Sequence, residues 1–140
     1  MYLENISAEV SQGDIFDSLP FAVMEGTTAT VRTARVVLLT QDCEYDKPST
    51  RSILVAEILP LSGVATASQG NVRRNRVASA FYPPPQEAFP ESYVDLRAIG
   101  RVEKSVVVAE ADRGTRLLSL TEEARLALQQ QIAGFFGYHR

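Results

Sequence analysis

The length, composition and charge of this chain exclude several classes of protein. Its 140 residues suffice for one domain with a sizeable core, and 45% hydrophobic with 22% charged residues is typical of a globular protein. The net charge of −3 argues against a protein that coats nucleic acid through its overall field, so only a local basic patch would serve such binding.

Neither a membrane nor a metal is expected from the sequence. No apolar run approaches the length that crosses a bilayer, and the first residues lack the basic start and apolar run of an export signal. We therefore expect a cytoplasmic protein. The single cysteine, Cys43, has no second cysteine and no histidine cluster with which to complete a zinc site, so we expect no metal and no cofactor.

Two extended segments open the predicted β-structure, after a polar lead-in over residues 1–12. Residues 13–24 predict a first strand, in which Pro20 restricts pairing to a sheet edge or a bulge. A turn-like segment around Gly26 separates it from the extended residues 29–39. The two segments therefore predict a hairpin.

The clearest strands are residues 36–39 and 53–58, which are rich in branched apolar side chains. A polar loop of suitable length joins them, so we expect adjacent antiparallel strands in one barrel. The first of them ends at Gln41, Asp42 and Cys43. Polar groups delivered to a loop by a rigid strand are candidates for function, so we count Gln41 and Asp42 among the substrate-binding candidates.

The second half of the chain predicts further strands. Residues 62–70 are small and polar, which indicates a mobile connection, and prolines 83–85 make a stiff, extended segment. Two more strands are expected over residues 92–99 and 102–109, with Gly100 between them.

One helix is expected, over residues 119–136. Ser119 followed three residues later by Glu122 has the form of a capping box. The apolar positions beyond it recur at three and four residues and make one stripe facing a core or a partner. These positions are Leu120, Ala124, Ala127, Leu128, Ile132, Phe135 and Phe136.

The order of these segments resembles the PemK/MazF-like family of toxins. Residues 13–16, a Gly-Asp pair followed by apolar residues, resemble the strand that opens that family. Residues 35–39 and 53–58 resemble its paired central strands, and residues 93–105 followed by 118–122 resemble its closing segment. The resemblance implies a single mainly β domain over residues 1–140. Its small SH3-like β-barrel occupies residues 13–109, and one C-terminal α-helix comes after it.

The resemblance also implies an activity. Active toxins of the family are RNA-cleaving enzymes that need no metal and use an arginine before the central Val-Val and a hydroxyl residue after the second central strand. A gapless match places that arginine at Ala34, so Arg35 or Arg32 takes its role here, and Ser62 is the hydroxyl residue. The arginine would stabilise the charged phosphate while the 2′-hydroxyl of the RNA attacks it, leaving a cyclic phosphate.

A basic segment provides further substrate-binding candidates. Arg73, Arg74 and Arg76 suit an anionic partner, because a guanidinium group pairs a phosphate through two donors at once. Tyr82 is nearby in the sequence, as a candidate for stacking on single-stranded bases. The alternative is a solvated loop and strand edge that the charges protect.

The chain also has a non-catalytic interpretation, in which the same barrel holds a protein partner at Gln41-Asp42-Cys43 or at the arginines. Arg32 or Arg35 beside Ser62 in one groove would favour the enzyme, and side chains on opposite faces would favour the interaction module.

Three smaller features have ordinary explanations. We expect Cys43 to be a half-buried structural thiol, because the only histidine, His139, lies near the C-terminus. The carboxylates of Asp42, Glu44 and Asp46 are interpreted as a solvated loop in which Asp42 binds local backbone groups, rather than as a cation site. The end of the helix either packs on its own barrel or forms a homodimer contact.

Overall fold

The computed structural model of this chain describes residues 2–3 and 9–137, which form a mainly β structure. The strands are β1 (Ile15–Glu25), β2 (Thr28–Leu38), β3 (Ser52–Pro60), β4 (Ala80–Phe81), β5 (Ser92–Glu103) and β6 (Arg116–Leu118). The helices are α1 (Asp42–Tyr45), α2 (Thr66–Arg73), α3 (Lys104–Asp112) and α4 (Glu122–Gly137), with a 3-10 turn at Leu61–Gly63. Within the described ranges, no helix is both long and apolar enough to span a bilayer.

The six strands form one antiparallel sheet in the order β4-β5-β3-β2-β1-β6. β5 also pairs with β1, at Arg101 opposite Ala22, so that β1, β2, β3 and β5 make a ring. Gly100 permits this closure. A Cβ atom at that position would lie 2.4 Å from the Phe21 ring and 2.9 Å from the Ala22 carbonyl oxygen, so only glycine allows the two strands to approach so closely.

The predicted hairpin and the predicted central pair are both confirmed. β1 and β2 are joined at Gly26, whose φ of +64° is in the left-handed region. The register of β1 shifts between Phe16 and Leu19, immediately before Pro20, in agreement with the expected bulge. β2 pairs antiparallel with β3.

Side chains on the two faces of the ring strands enter different cores. Val36 and Leu38 of β2 belong to a cluster that also contains Val107 of α3, which we name the ring cluster. Val37 and Leu39 belong to a second cluster, which α4 covers. The alternation results from the two-residue period of a strand, and it fixes which residues of β2 can share a surface.

Two predictions for the second half of the chain are wrong. Residues 102–109 are not a separate strand, because β5 continues through Gly100 to Glu103 and α3 begins at once. Val107 is completely buried in the ring cluster, and this packing outweighs the strand preference of neighbouring valines. Residues 62–70 are not a mobile connection, because they form the 3-10 turn and most of α2.

The C-terminal helix is confirmed with a different cap. The Thr121 hydroxyl accepts a hydrogen bond from the Ala124 backbone N at 3.3 Å, so Thr121 rather than Ser119 caps α4. Leu128 is fully buried, whereas Ile132 and Phe135 are partly buried against the same cluster.

Candidate functional site

A polar cleft lies where the end of β2 meets α4. This strand-end cleft has a volume of about 320 Å³ and contains the predicted Gln41 and Asp42. Its lining residues are Gln12, Gln41, Asp42, Cys43, Glu122, Arg125, Leu126 and Gln129.

Hydrogen bonds join three distant segments of the chain at this cleft. The Asp42 carboxylate accepts from the Gln12 backbone N at 2.7 Å and from Arg125 Nη1 at 3.0 Å. The Gln12 side chain, only 4% exposed, donates to the Leu39 carbonyl at 2.7 Å and accepts from Gln129 Nε2 at 2.6 Å. Nothing in the sequence pointed to Gln12, Arg125 or Gln129, because each lies far along the chain from Asp42.

Cys43 is an exposed thiol at the rim of this cleft, not the half-buried thiol expected from the sequence. Its Sγ lies 3.9 Å from Gln41 Oε1. His139 lies outside the described residues. Asp42 does not bind local backbone as expected, because its carboxylate partners are Gln12 and Arg125. Within residues 2–3 and 9–137, no group of histidine, cysteine and carboxylate side chains could hold a metal ion.

Arg32 and Arg35 of β2 face opposite sides of the sheet. The Arg32 guanidinium carbon lies 5.8 Å from the centre of the Phe21 ring, and that of Arg35 lies 4.7 Å from the centre of the Phe89 ring. Phe21 and Phe89 belong to the two different cores. Three residues apart on one strand, the two arginines therefore do not share a groove.

Both arginines already have a carboxylate partner. Arg32 Nη2 lies 3.2 Å from Glu57 Oε1, and Arg35 Nη2 donates to Asp17 Oδ1 at 2.9 Å. Ser62 is an exposed residue of the 3-10 turn that comes after β3. In the described part of the chain, no hydrogen bond joins Ser62 to either arginine.

The arginine segment, residues 73–76, lies at the end of α2 and just beyond it. Arg73 is bound to Glu91 by hydrogen bonds from Nε and Nη2, both 2.9 Å long, and the Tyr82 hydroxyl donates to the same carboxylate at 2.5 Å. Arg74 and Arg76 differ from it. Both are exposed, and within the described residues no ion pair joins either of them to a carboxylate.

The pKa values of Glu91 and Tyr82 reflect these contacts. The Arg73 guanidinium and then the Tyr82 hydroxyl lower the pKa of Glu91 to about 2, because both donate to its charged form. Burial, followed by the hydrogen bond to Glu91, raises the pKa of Tyr82 to about 12. Glu91 therefore remains ionised over the whole physiological range.

A second, more apolar groove runs between the residues after α2 and the helix α4. We name it the proline groove; it consists of two adjoining cavities of about 390 Å³ and 210 Å³. The larger is lined by Asn75, Phe81, Tyr82, Pro84, Pro85, Ala124 and Ala127. The smaller is lined by Asn75, Arg76, Ala78, Gln130, Gln131, Gly134 and Phe135. The sequence predicted that the prolines form a stiff, extended segment, but it predicted neither the groove nor the wall from α4.

Comparison with protein-family models, with curated proteins and with solved structures finds no match for this chain. Its relationship to the PemK/MazF-like toxins therefore stays a prediction from the order of its segments. A function has to be inferred from the contacts, charges and cavities of its described side chains.

Proposed function

We propose that this chain is a cytoplasmic module that binds single-stranded RNA and that its fold is a divergent PemK/MazF-like, SH3-like barrel. Arg74 and Arg76 are its phosphate contacts. The mainly β ring of four strands and the C-terminal helix are compatible with such a barrel. The observation that carries the proposal is that both guanidinium groups are exposed and form no ion pair within the described residues, and that Arg76 lines the smaller cavity of the proline groove.

The distribution of charge favours RNA binding at a local basic patch rather than over the whole surface of the protein. The chain has a net charge of −3, so its overall field repels nucleic acid. Many of its other arginines, Arg32, Arg35 and Arg73 among them, are paired with carboxylates. An arginine without such a partner gains a charge-assisted hydrogen bond on meeting a phosphate, whereas a paired one must first give up the bond it has.

Binding rather than cleavage is the main part of this proposal. A metal-independent endoribonuclease needs Arg35 or Arg32 to act with Ser62 on one phosphate. Whichever arginine acts would first have to leave its carboxylate, and because the two arginines face opposite sides of β2, they cannot act on that phosphate together. Cleavage remains the second version of the function, and Arg35→Ala and Ser62→Ala would each abolish it.

A protein-interaction module is the alternative function, and the strand-end cleft favours it. The side chains of Gln12 and Gln129 are linked by a hydrogen bond, and the Asp42 carboxylate accepts from the Gln12 backbone N. With Glu122 they line a polar cleft that suits an uncharged or cationic protein segment better than RNA. In that case Gln41→Ala would weaken a protein complex while the arginine variants leave it intact.

One experiment addresses binding and cleavage together. A labelled single-stranded RNA and a duplex of the same length are titrated with the protein in EDTA, and the RNA is then analysed for cleavage. We expect binding of the single strand in preference to the duplex. Equal affinity for both would contradict the proposal, as would the absence of binding; cleavage in EDTA would establish the catalytic version.

A further inference from the structure

We propose that the proline groove is a base-binding subsite, which takes an unstacked base of the RNA strand whose phosphates lie on Arg74 and Arg76. The inference rests on the proposed function and adds the part of the ligand that enters the groove.

The walls of the larger cavity suit the faces of a nucleobase. One wall consists of Tyr82, Pro84 and Pro85, and the other consists of Ala124 and Ala127 of α4. Bases stack on aromatic and other apolar side chains irrespective of their sequence. The alanines keep the groove open, because a larger side chain at Ala127 would extend into it. The volume of about 390 Å³ lies within the range of small-ligand sites.

The groove is held in shape by hydrogen bonds that are independent of any ligand. Asn75, whose φ of +54° is in the left-handed region, accepts from the Tyr82 backbone N at 2.7 Å. Gln131 Nε2 donates to the carbonyls of Val77 at 2.8 Å and Ala80 at 3.1 Å, which fastens this segment to α4. The prolines at 83–85 restrict their own φ angles and so stiffen this wall. A preformed groove loses little conformational entropy on binding.

Charge distinguishes this groove from the strand-end cleft. The smaller cavity has Arg76 at its rim, together with the side-chain amide of Gln130, and none of the described residues that line either cavity is a carboxylate. The strand-end cleft instead contains Asp42 and Glu122. The proline groove therefore suits a ligand that combines an apolar ring with a negative charge, as a nucleotide of a single strand does.

The test separates the bases of the strand from its phosphates. Wild-type protein, Ala127→Leu and the control Ala133→Leu are titrated with single-stranded RNA and with an abasic ribose-phosphate strand of equal length. Ala133 is an exposed residue of the same helix outside both cavities. We expect the wild type to bind RNA about tenfold more tightly than the abasic strand. Ala127→Leu should remove this difference without changing abasic binding, and Ala133→Leu should retain it.

The outcomes distinguish the subsite from the function on which it rests. Equal affinity of the wild type for both strands overturns the base subsite and leaves phosphate binding in place. Binding of neither strand overturns both. If Ala127→Leu does not fold, wild-type protein is irradiated with 4-thiouridine RNA; crosslinks at Phe81, Tyr82 or Pro84 support the subsite, and crosslinks confined to other regions overturn it.

Discussion

Arg73 and Glu91 are joined by two parallel hydrogen bonds, Nε to Oε2 and Nη2 to Oε1, each 2.9 Å long. The carboxylate occupies the two donors that a phosphate would use. Since Tyr82 also donates to Glu91, the carboxylate is held in place from two sides. In the proposed function Glu91 would compete with an RNA phosphate for Arg73, whereas Arg74 and Arg76 have no carboxylate partner within the described residues.

Replacing Glu91 with Gln should strengthen RNA binding. The change removes the charge that holds Arg73, so this guanidinium becomes a further phosphate contact. On single-stranded RNA, the slope of log K against log salt should steepen by about 0.7. Fluorescence anisotropy at several salt concentrations measures both quantities.

The matched control for this prediction is Glu87→Gln. Glu87 is an exposed carboxylate on the same connection and loses the same charge, but it forms no ion pair with the described arginines. An equal gain in both variants would mean that net charge, not the release of Arg73, is responsible.

The Glu91 carboxyl should titrate far below the ordinary value of 4.5, with a pKa of about 2. A lowered folded-state pKa means that the unfolded chain takes up the proton first as the pH falls. The stabilising contribution of the pair is thus complete above pH 4.5 and is lost as the pH falls towards 2. Carboxyl-detected NMR measures the titration, and in Arg73→Ala the midpoint should rise; an unchanged midpoint would contradict the assignment.

Leu128→Ala should lower the free energy of unfolding by about 2–5 kcal/mol, because it leaves a cavity under α4. The same truncation at Leu126, which is 52% exposed on the same helix, should change stability by less than about 0.5 kcal/mol. Urea denaturation of both variants provides the comparison. Similar losses at the two positions would show that the buried stripe of α4 is assigned to the wrong residues.

Gly100→Ala and Gly134→Ala should have effects of opposite sign. At Gly100 the new methyl group overlaps the Phe21 ring, and overpacking of this kind costs about 1–3 kcal/mol. At Gly134 in α4 it meets no atom within 4 Å, so the helix should gain about 0.5–1 kcal/mol. Thermal unfolding measures both. A neutral Gly100→Ala would contradict the close approach of β1 and β5.

The strands were predictable from the sequence where branched apolar residues form short runs between turns. Residues 36–39 and 53–58 are such runs, and their antiparallel pairing is confirmed. Helix α3 was missed because consecutive valines favour strands locally, and its helical state depends on burying Val107 in the ring cluster. Helix α2 was missed because its residues are mostly small and polar, while its packing depends on a single buried side chain, Val72.

The candidate site was predictable only in part. Asp42 and the arginine segment could be identified from the sequence, since these are clusters of chemically distinct side chains. The ion pairs Arg125–Asp42 and Arg73–Glu91 could not be predicted, because such pairs form only when the fold brings distant segments together. The carboxylate partners of Arg32 and Arg35 could not be predicted for the same reason.

The proposed function depends on phosphate binding by Arg74 and Arg76. The double variant Arg74→Ala/Arg76→Ala tests it against Arg51→Ala/Arg101→Ala, which removes the same charge from exposed arginines elsewhere on the described surface. The measurement is RNA affinity as a function of salt concentration, with circular dichroism to verify that every variant is folded. We expect the first variant to bind more weakly, with a slope flattened by about 0.7 for each lost contact, and the second to resemble the wild type. Equal affinities and slopes in the two variants would contradict the claim.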